Sequence, residues 1–166
     1  KLEQVLPLCR IRPVVLEVEI NPTFQQPVLF DYCMSHGILP VAYSPMGSPC
    51  RPERDTEEGD VVTFEMPELK EIAETHGCHP ASVCVKWAVQ RGHVPIPFSV
   101  YEKEYVENLR CTTEDFLTEE EMDTLKRADR NARLIKGKVF LWEEAESWRD
   151  IWDGEDERNN CKTTEA

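Results

Sequence analysis

The stretch Ile38-Leu39-Pro40-Val41-Ala42-Tyr43-Ser44-Pro45-Met46-Gly47-Ser48-Pro49 carries the reading of this chain. A short apolar run reaches a single aromatic and then breaks into Ser, Pro, Gly and Ser. A buried parallel strand has this pattern when it delivers a polar loop to a rim. Tyr43, at the strand's exit, has a flat face to offer a ring. The loop behind it offers hydroxyls and close backbone approach. The other reading of the same residues is a core tyrosine followed by an ordinary turn.

The flanks repeat the theme. Pro13–Ile20 is rich in branched residues and stops at Asn21-Pro22, which predicts a second strand. Glu17 and Glu19 alternate within it and so share a side. Either this is an edge strand with a wet face, or it lines a barrel lumen where at least the residue near the exit meets solvent or ligand. Val94–Ser99 is a third short strand, whose Pro95 and Pro97 remove ladder donors and force imperfect pairing.

Helices are expected between these strands. Leu2, Val5, Leu6 and Leu8 suit the end of an amphipathic helix. Gln25–Ser35 is a helix stopped by Gly37; Met66–His76 starts on Pro67 and stops at Gly77. Pro80–Arg91 carries a stripe of Val83, Cys84, Trp87 and Ala88 and closes on Gly92. Another begins at Tyr105. Thr118 and Glu121 form a capping box, with Leu117 and Met122 as its staple, for a helix running to about Arg130. Ser48–Asp60 is longer than a bare connector and suits a lid or binding loop. Strands alternating with helices imply parallel β/α units.

The chain of 166 residues is within the size of one domain, and 40% hydrophobic with 31% charged residues is a globular composition. A net charge of −13 without a basic stripe argues against nucleic acid as a partner. No apolar run approaches the ~20 residues of a membrane helix, so no membrane role is expected. Seven scattered cysteines without a C-x-x-C pair suit reduced thiols in a cytoplasmic protein; Cys33 and Cys84 fall on apolar helix faces. His79 reads as a residue of a helix-leading loop, not a metal ligand, and no metal site is expected. The first residue is Lys1, not Met, as in a piece of a longer chain.

These residues resemble the aldo-keto reductase family from about Leu2 to Arg133. The resemblance is carried by Val18-Glu19-Ile20-Asn21-Pro22, Leu29-x-x-Tyr32-Cys33-x-x-x-Gly37-Ile38, Val41 through Ser48, Trp87 through Gly92, Ile96-Pro97-Phe98-Ser99, Glu107-Asn108 and Asp129-Arg130. It implies a TIM (β/α)8 barrel, here only about the last three β/α units plus a C-terminal helix and segment over residues 1–152. An acidic, disordered tail is expected over 153–166. It also implies a nicotinamide-dependent oxidoreductase acting on a small aldehyde, ketone or alcohol.

Residue by residue, the resemblance assigns Tyr43 to stacking on the nicotinamide and Ser44, Met46 and Ser48 to the pyrophosphate loop. Ser99, Val100, Glu107 and Asn108 fall around the adenosine. Glu17 stands where the family commonly has a Gln on the carboxamide. Phe98 and Glu104 stand where Lys and Arg usually meet the 2′-phosphate of NADP. That leaves NAD or NADP, with the loss of two cations favouring NAD; Phe98 could instead be plain packing. Phe140, Trp142 and Trp148 are candidate walls of the substrate pocket; on the other reading Leu141, Trp142, Trp148 and Trp152 clamp the barrel's underside. The family's catalytic Asp, Tyr, Lys and His have no counterpart here, so the catalytic set is empty. The chain would need the missing N-terminal half of the barrel as its partner. A non-catalytic binding or scaffold protein and an inactive truncated product are the competing readings.

Overall fold

The computed structural model describes residues 1–152, and the acidic residues 153–166, expected to form a disordered tail, lie outside the described residues. Strands β1 (Val15–Glu19), β2 (Leu39–Tyr43) and β3 (Val94–Pro95) form a parallel sheet in the order β1-β2-β3. Helix α1 (Leu2–Val5) precedes them, and α2 (Pro27–Ser35) crosses from β1 to β2. Helices α3 (Pro67–Thr75) and α4 (Pro80–Arg91) cross from β2 to β3, and α5 (Glu102–Arg110) and α6 (Glu119–Arg127) follow.

Register fixes the two faces. Val15, Glu17 and Glu19 pair with Leu39, Val41 and Tyr43, and Val41 pairs with Val94. All of them therefore project to one side, while Leu16, Val18, Pro40 and Ala42 project to the other. Val18 and Ala42 enter a core with Leu69, Ala73, Val83, Trp87 and Leu125 from the covering helices. On the opposite face Val15, Leu39 and Val94 remain 44%, 39% and 45% exposed. The sheet is finished on one side only.

Local chemistry explains the boundaries. Helix α4 opens on Pro80, with the His79 side chain accepting from the Ala81 N–H, and ends on Gly92 at φ 98°. His79 is thus a helix cap. The buried part of α4 runs unbroken from Ser82 to Ala88, wider than the expected stripe, because the helix lies against β3, α3 and α5. Helix α6 has the anticipated capping box: Thr118 Oγ1 accepts from Glu121 N at 3.2 Å, and the Glu121 carboxylate accepts from Thr118 N at 2.7 Å. It stops at Arg127, short of Arg130, because the Asp129 carboxylate turns the chain by accepting from Asn131 N at 2.9 Å. Helix α5 starts earlier than expected, at Glu102. The loop after β2 contains a 3-10 turn at Glu53–Asp55.

Strand β3 is two residues long, and its only continuation is Ile96 N donating to Ala42 O at 2.9 Å. The two prolines account for that brevity. Just before it, His93 is 3% exposed between the edges of Phe30 and Trp87. Among the described residues neither ring nitrogen has a hydrogen-bond partner. Burial and the neighbouring Arg91 push its pKa down to about 4.

Candidate functional site

The three strand exits lie side by side, and each sends a loop to the same end of the sheet. From β1, Glu17 is exposed and lines a cleft of about 530 Å³ with Tyr43, Gln26, Tyr32, Arg133 and Trp152. Glu19, nearer the exit, behaves in the opposite way to the lumen expectation. It is fully buried, and its carboxylate accepts from Leu134 N and Ile135 N, both at 3.0 Å, with the Arg133 guanidinium 4.0 Å away. The chain after α6 folds back over that exit, so the inner carboxylate meets the cleft and the outer one does not. Arg133 lies between the rings of Phe24 and Trp152, 4.5 and 3.6 Å from their centroids.

From β2, the chain turns through three residues in the left-handed region: Ser44 at φ 51°, Gly47 at 79° and Ser48 at 42°. Ser48 Oγ donates to Ser44 Oγ at 2.7 Å. A side chain at Gly47 would place its Cβ 1.9 Å from Thr63 Oγ1, so both conformation and contact require glycine there. Two serines held at positive φ store of the order of 1–3 kcal/mol each, a pattern concentrated at ligand clamps. The Met46 side chain packs against the core, leaving its backbone to the loop. Asn21, fully buried, donates to Ser44 O at 3.4 Å and ties the β1 exit to this loop. In the sequence Asn21 is a strand stop and part of a resemblance motif, with no role in the site assigned to it.

From β3, Ser99 Oγ donates to the Glu104 carboxylate at 2.7 Å, and Val100 is exposed. Glu107 accepts from Ser82 at 3.4 Å and thereby ties α5 to α4; Asn108 is half-buried beside it. Phe98 is 87% exposed. Phe140 and Trp142 are exposed, and Trp148 is half-buried with Arg149 over its ring. None of these three lines the cleft, which receives Ile151 and Trp152 instead. Among the described residues no cluster of His, Cys, Asp and Glu suits a metal ion, and no helix is long and apolar enough to cross a membrane.

The family model described as "Aldo/keto reductase family" matches residues 1–130. The chain belongs to the aldo/keto reductase family. It is similar to an aldo/keto reductase of Synechocystis sp., 36% identical over 92% of this chain and 47% of that protein. It is also similar to aldo-keto reductase family 1 member A1 of Gallus gallus, 37% identical over 81% of this chain and 40% of the relative. Deoxymugineic acid synthase 1 of Zea mays is 34% identical over 93% of this chain and 48% of its own length. The chain thus spans less than half the length of these relatives.

In an aldo/keto reductase chain these groups suit a nicotinamide dinucleotide in kind. The face of Tyr43 and the acceptor Glu17 border one cleft; the strained serine loop comes next, and Ser99 and Asn108 follow at the third exit.

Proposed function

We propose that residues 1–152 are the last three β/α units, with the C-terminal helix and segment, of a TIM (β/α)8 barrel. The barrel would be a nicotinamide-dependent oxidoreductase that converts small aldehydes or ketones to alcohols, or the reverse. The observation that carries this reading is that Glu17 and Tyr43, on adjacent parallel strands, border one cleft beside the strained Ser44–Ser48 loop. The exposed face of Val15, Leu39 and Val94 supports the barrel, since a lumen face needs the remaining strands to cover it.

When bound, the nicotinamide cofactor supplies or accepts the hydride. Tyr43 offers a stacking face, Glu17 accepts from the carboxamide NH2, and the backbone from Ser44 to Ser48 receives the pyrophosphate. Glu104 already holds the Ser99 hydroxyl, and a carboxylate there repels a 2′-phosphate while accepting from a ribose diol; this supports NAD over NADP. Phe140, Trp142 and Trp148 remain candidate substrate walls because the exposed rings of Phe140 and Trp142, in one segment with Trp148, suit an apolar ligand. The general acid must come from outside this chain, so these residues alone are expected to be inactive.

Titration of the complete protein with NAD and NADP under equal conditions tests the reading. Tyr43→Ala is expected to cost roughly 1–2 kcal/mol of cofactor affinity. Unchanged affinity in that variant returns Tyr43 to the core, and NADP bound a hundredfold tighter overturns the NAD preference. No binding of either cofactor favours the second reading, a non-catalytic barrel-derived scaffold, supported by the anionic Glu104 where the family resemblance expects an Arg.

A further inference from the structure

The loop from Pro49 to Val62 leaves the serine turn and leads toward α3, and it covers most of the stretch Ser48–Asp60 that the sequence suits to a lid or binding loop. Three of its five acidic residues, Asp55, Glu57 and Asp60, are instead bound by residues 136–138. Lys136 is 2% exposed, and its ammonium donates to both Asp60 oxygens at 2.8 and 2.9 Å and to Asp55 O at 3.1 Å, with Glu57 3.5 Å away. Asp60 also accepts from Arg51 at 2.6 Å and from Glu57 N at 2.8 Å. Burial pushes the Asp60 pKa up, but these hydrogen bonds outweigh it and hold the carboxyl below its usual range. The Asp55 carboxylate accepts from Gly137 N at 3.1 Å, and Lys138 pairs with Glu57 at 2.7 Å.

The other side of the same segment is equally fixed. Leu134 N and Ile135 N donate to Glu19 on β1, and Trp152 Nε1 donates to Lys136 O at 2.9 Å. Residues 134–138 therefore join the β1 exit, the cleft-lining Trp152 and the loop after β2. A lysine this dry cannot lose its anions cheaply, so lifting the loop alone would strand its charge.

We infer that Lys136 is a positioning residue that makes the loop 49–62 and the segment 133–152 one moving body. What this body closes over rests on the nicotinamide reading, in which the loop flanks the pyrophosphate and Trp152 the nicotinamide end. Cofactor entry then requires both to move, and neither is an independent lid.

Hydrogen exchange on the complete protein without cofactor decides the coupling. In the wild type, amides of 55–60 and 134–138 are expected to open with a common free energy. Lys136→Met is expected to speed exchange of the loop by about tenfold or more while core amides of α4 hold; Asp60→Asn should do the same from the loop side, and Lys136→Arg should keep both segments slow. Unrelated protection of the two segments in the wild type, or an unchanged loop in Lys136→Met and Asp60→Asn, overturns the inference. A uniform loss across α4 in both variants overturns it too, by reducing Lys136 to general stability. Adding NAD or NADP to the wild type should slow both segments together. Failure of either cofactor to slow any amide overturns the cofactor reading and leaves the coupling to the cofactor-free result.

Discussion

The two faces of one sheet carry similar residues and have different fates. Leu16, Val18, Pro40 and Ala42 look toward helices, with Val18 and Ala42 in a closed core around Trp87 and Leu69. Val15, Leu39 and Val94, equally apolar, stand 39–45% exposed one residue away along the same strands. Hydrophobicity does not separate them; the availability of a cover does. A period of two decides which side a residue takes, and only the rest of the fold decides whether that side is dry.

The largest effect should come from the closed face. Trp87→Ala is expected to cost about 3–5 kcal/mol in denaturant melts. Val94→Ala on the open face should stay within about 0.5 kcal/mol in this chain and rise to about 1.5 kcal/mol or more where the remaining strands cover it. Equal costs at Val94 in the short and complete chains would break the comparison, because the open face would then never be covered.

His93 sharpens the same contrast with pH. Its pKa of about 4 in the folded protein lies below the unfolded value near 6.5, so the unfolded state takes up the proton first as pH falls. Stability is therefore full above about pH 6.5 and declines toward pH 4, by about 3 kcal/mol for this group. His93→Phe fills the space between Phe30 and Trp87 and should flatten that part of the profile; melts of the two proteins at pH 4.5 and 7 measure the difference. An identical pH slope in the variant would mean that His93 is solvated.

Smaller effects belong to the periphery of the closed side. Thr118→Ala removes the α6 cap and should cost about 1 kcal/mol, read from the same melts. His76 links α3 to α6 and the segment before it, with Nδ1 2.9 Å from Asp115 and Nε2 3.0 Å from Glu121. Burial lowers its pKa, but the bonds to the two carboxylates prevail and raise it. Its contribution is present below about pH 6.5 and lost as pH rises through the raised value. His76→Gln should remove that loss, an effect of about 0.5–1 kcal/mol on the scale of partly exposed ion pairs. An NMR titration finding the His76 pKa at or below 6.5 would overturn it.

What the sequence disclosed was local. Tyr43 followed by Ser-Pro-Met-Gly-Ser located the β2 exit, Pro80 and Gly92 bracketed α4, and Thr118 with Glu121 announced α6. The paired prolines foretold the weakness of β3. The site's inner supports were hidden because their partners are remote. Glu19 is buried by amides 115 and 116 positions away, and Lys136 reads as a surface lysine until Asp60, 76 positions earlier, is folded onto it. No period marks residues 131–152, since hydrogen bonds and two 3-10 turns hold them rather than an amphipathic face. The resemblance supplied roles for Glu17 and Tyr43, and the cleft supplied their proximity.

The sheet order β1-β2-β3 makes β1 and the short, proline-interrupted β3 the outer strands, and β1 presents a row of backbone donors and acceptors next to an apolar face. Made on their own, these residues are a template: a second copy can add beside β1. Aggregation on isolated expression is therefore the expected behaviour of an otherwise well-packed piece. Within the proposed barrel the strands synthesised earlier would be waiting when β1 to β3 leave the ribosome, and both edges would be paired as they form.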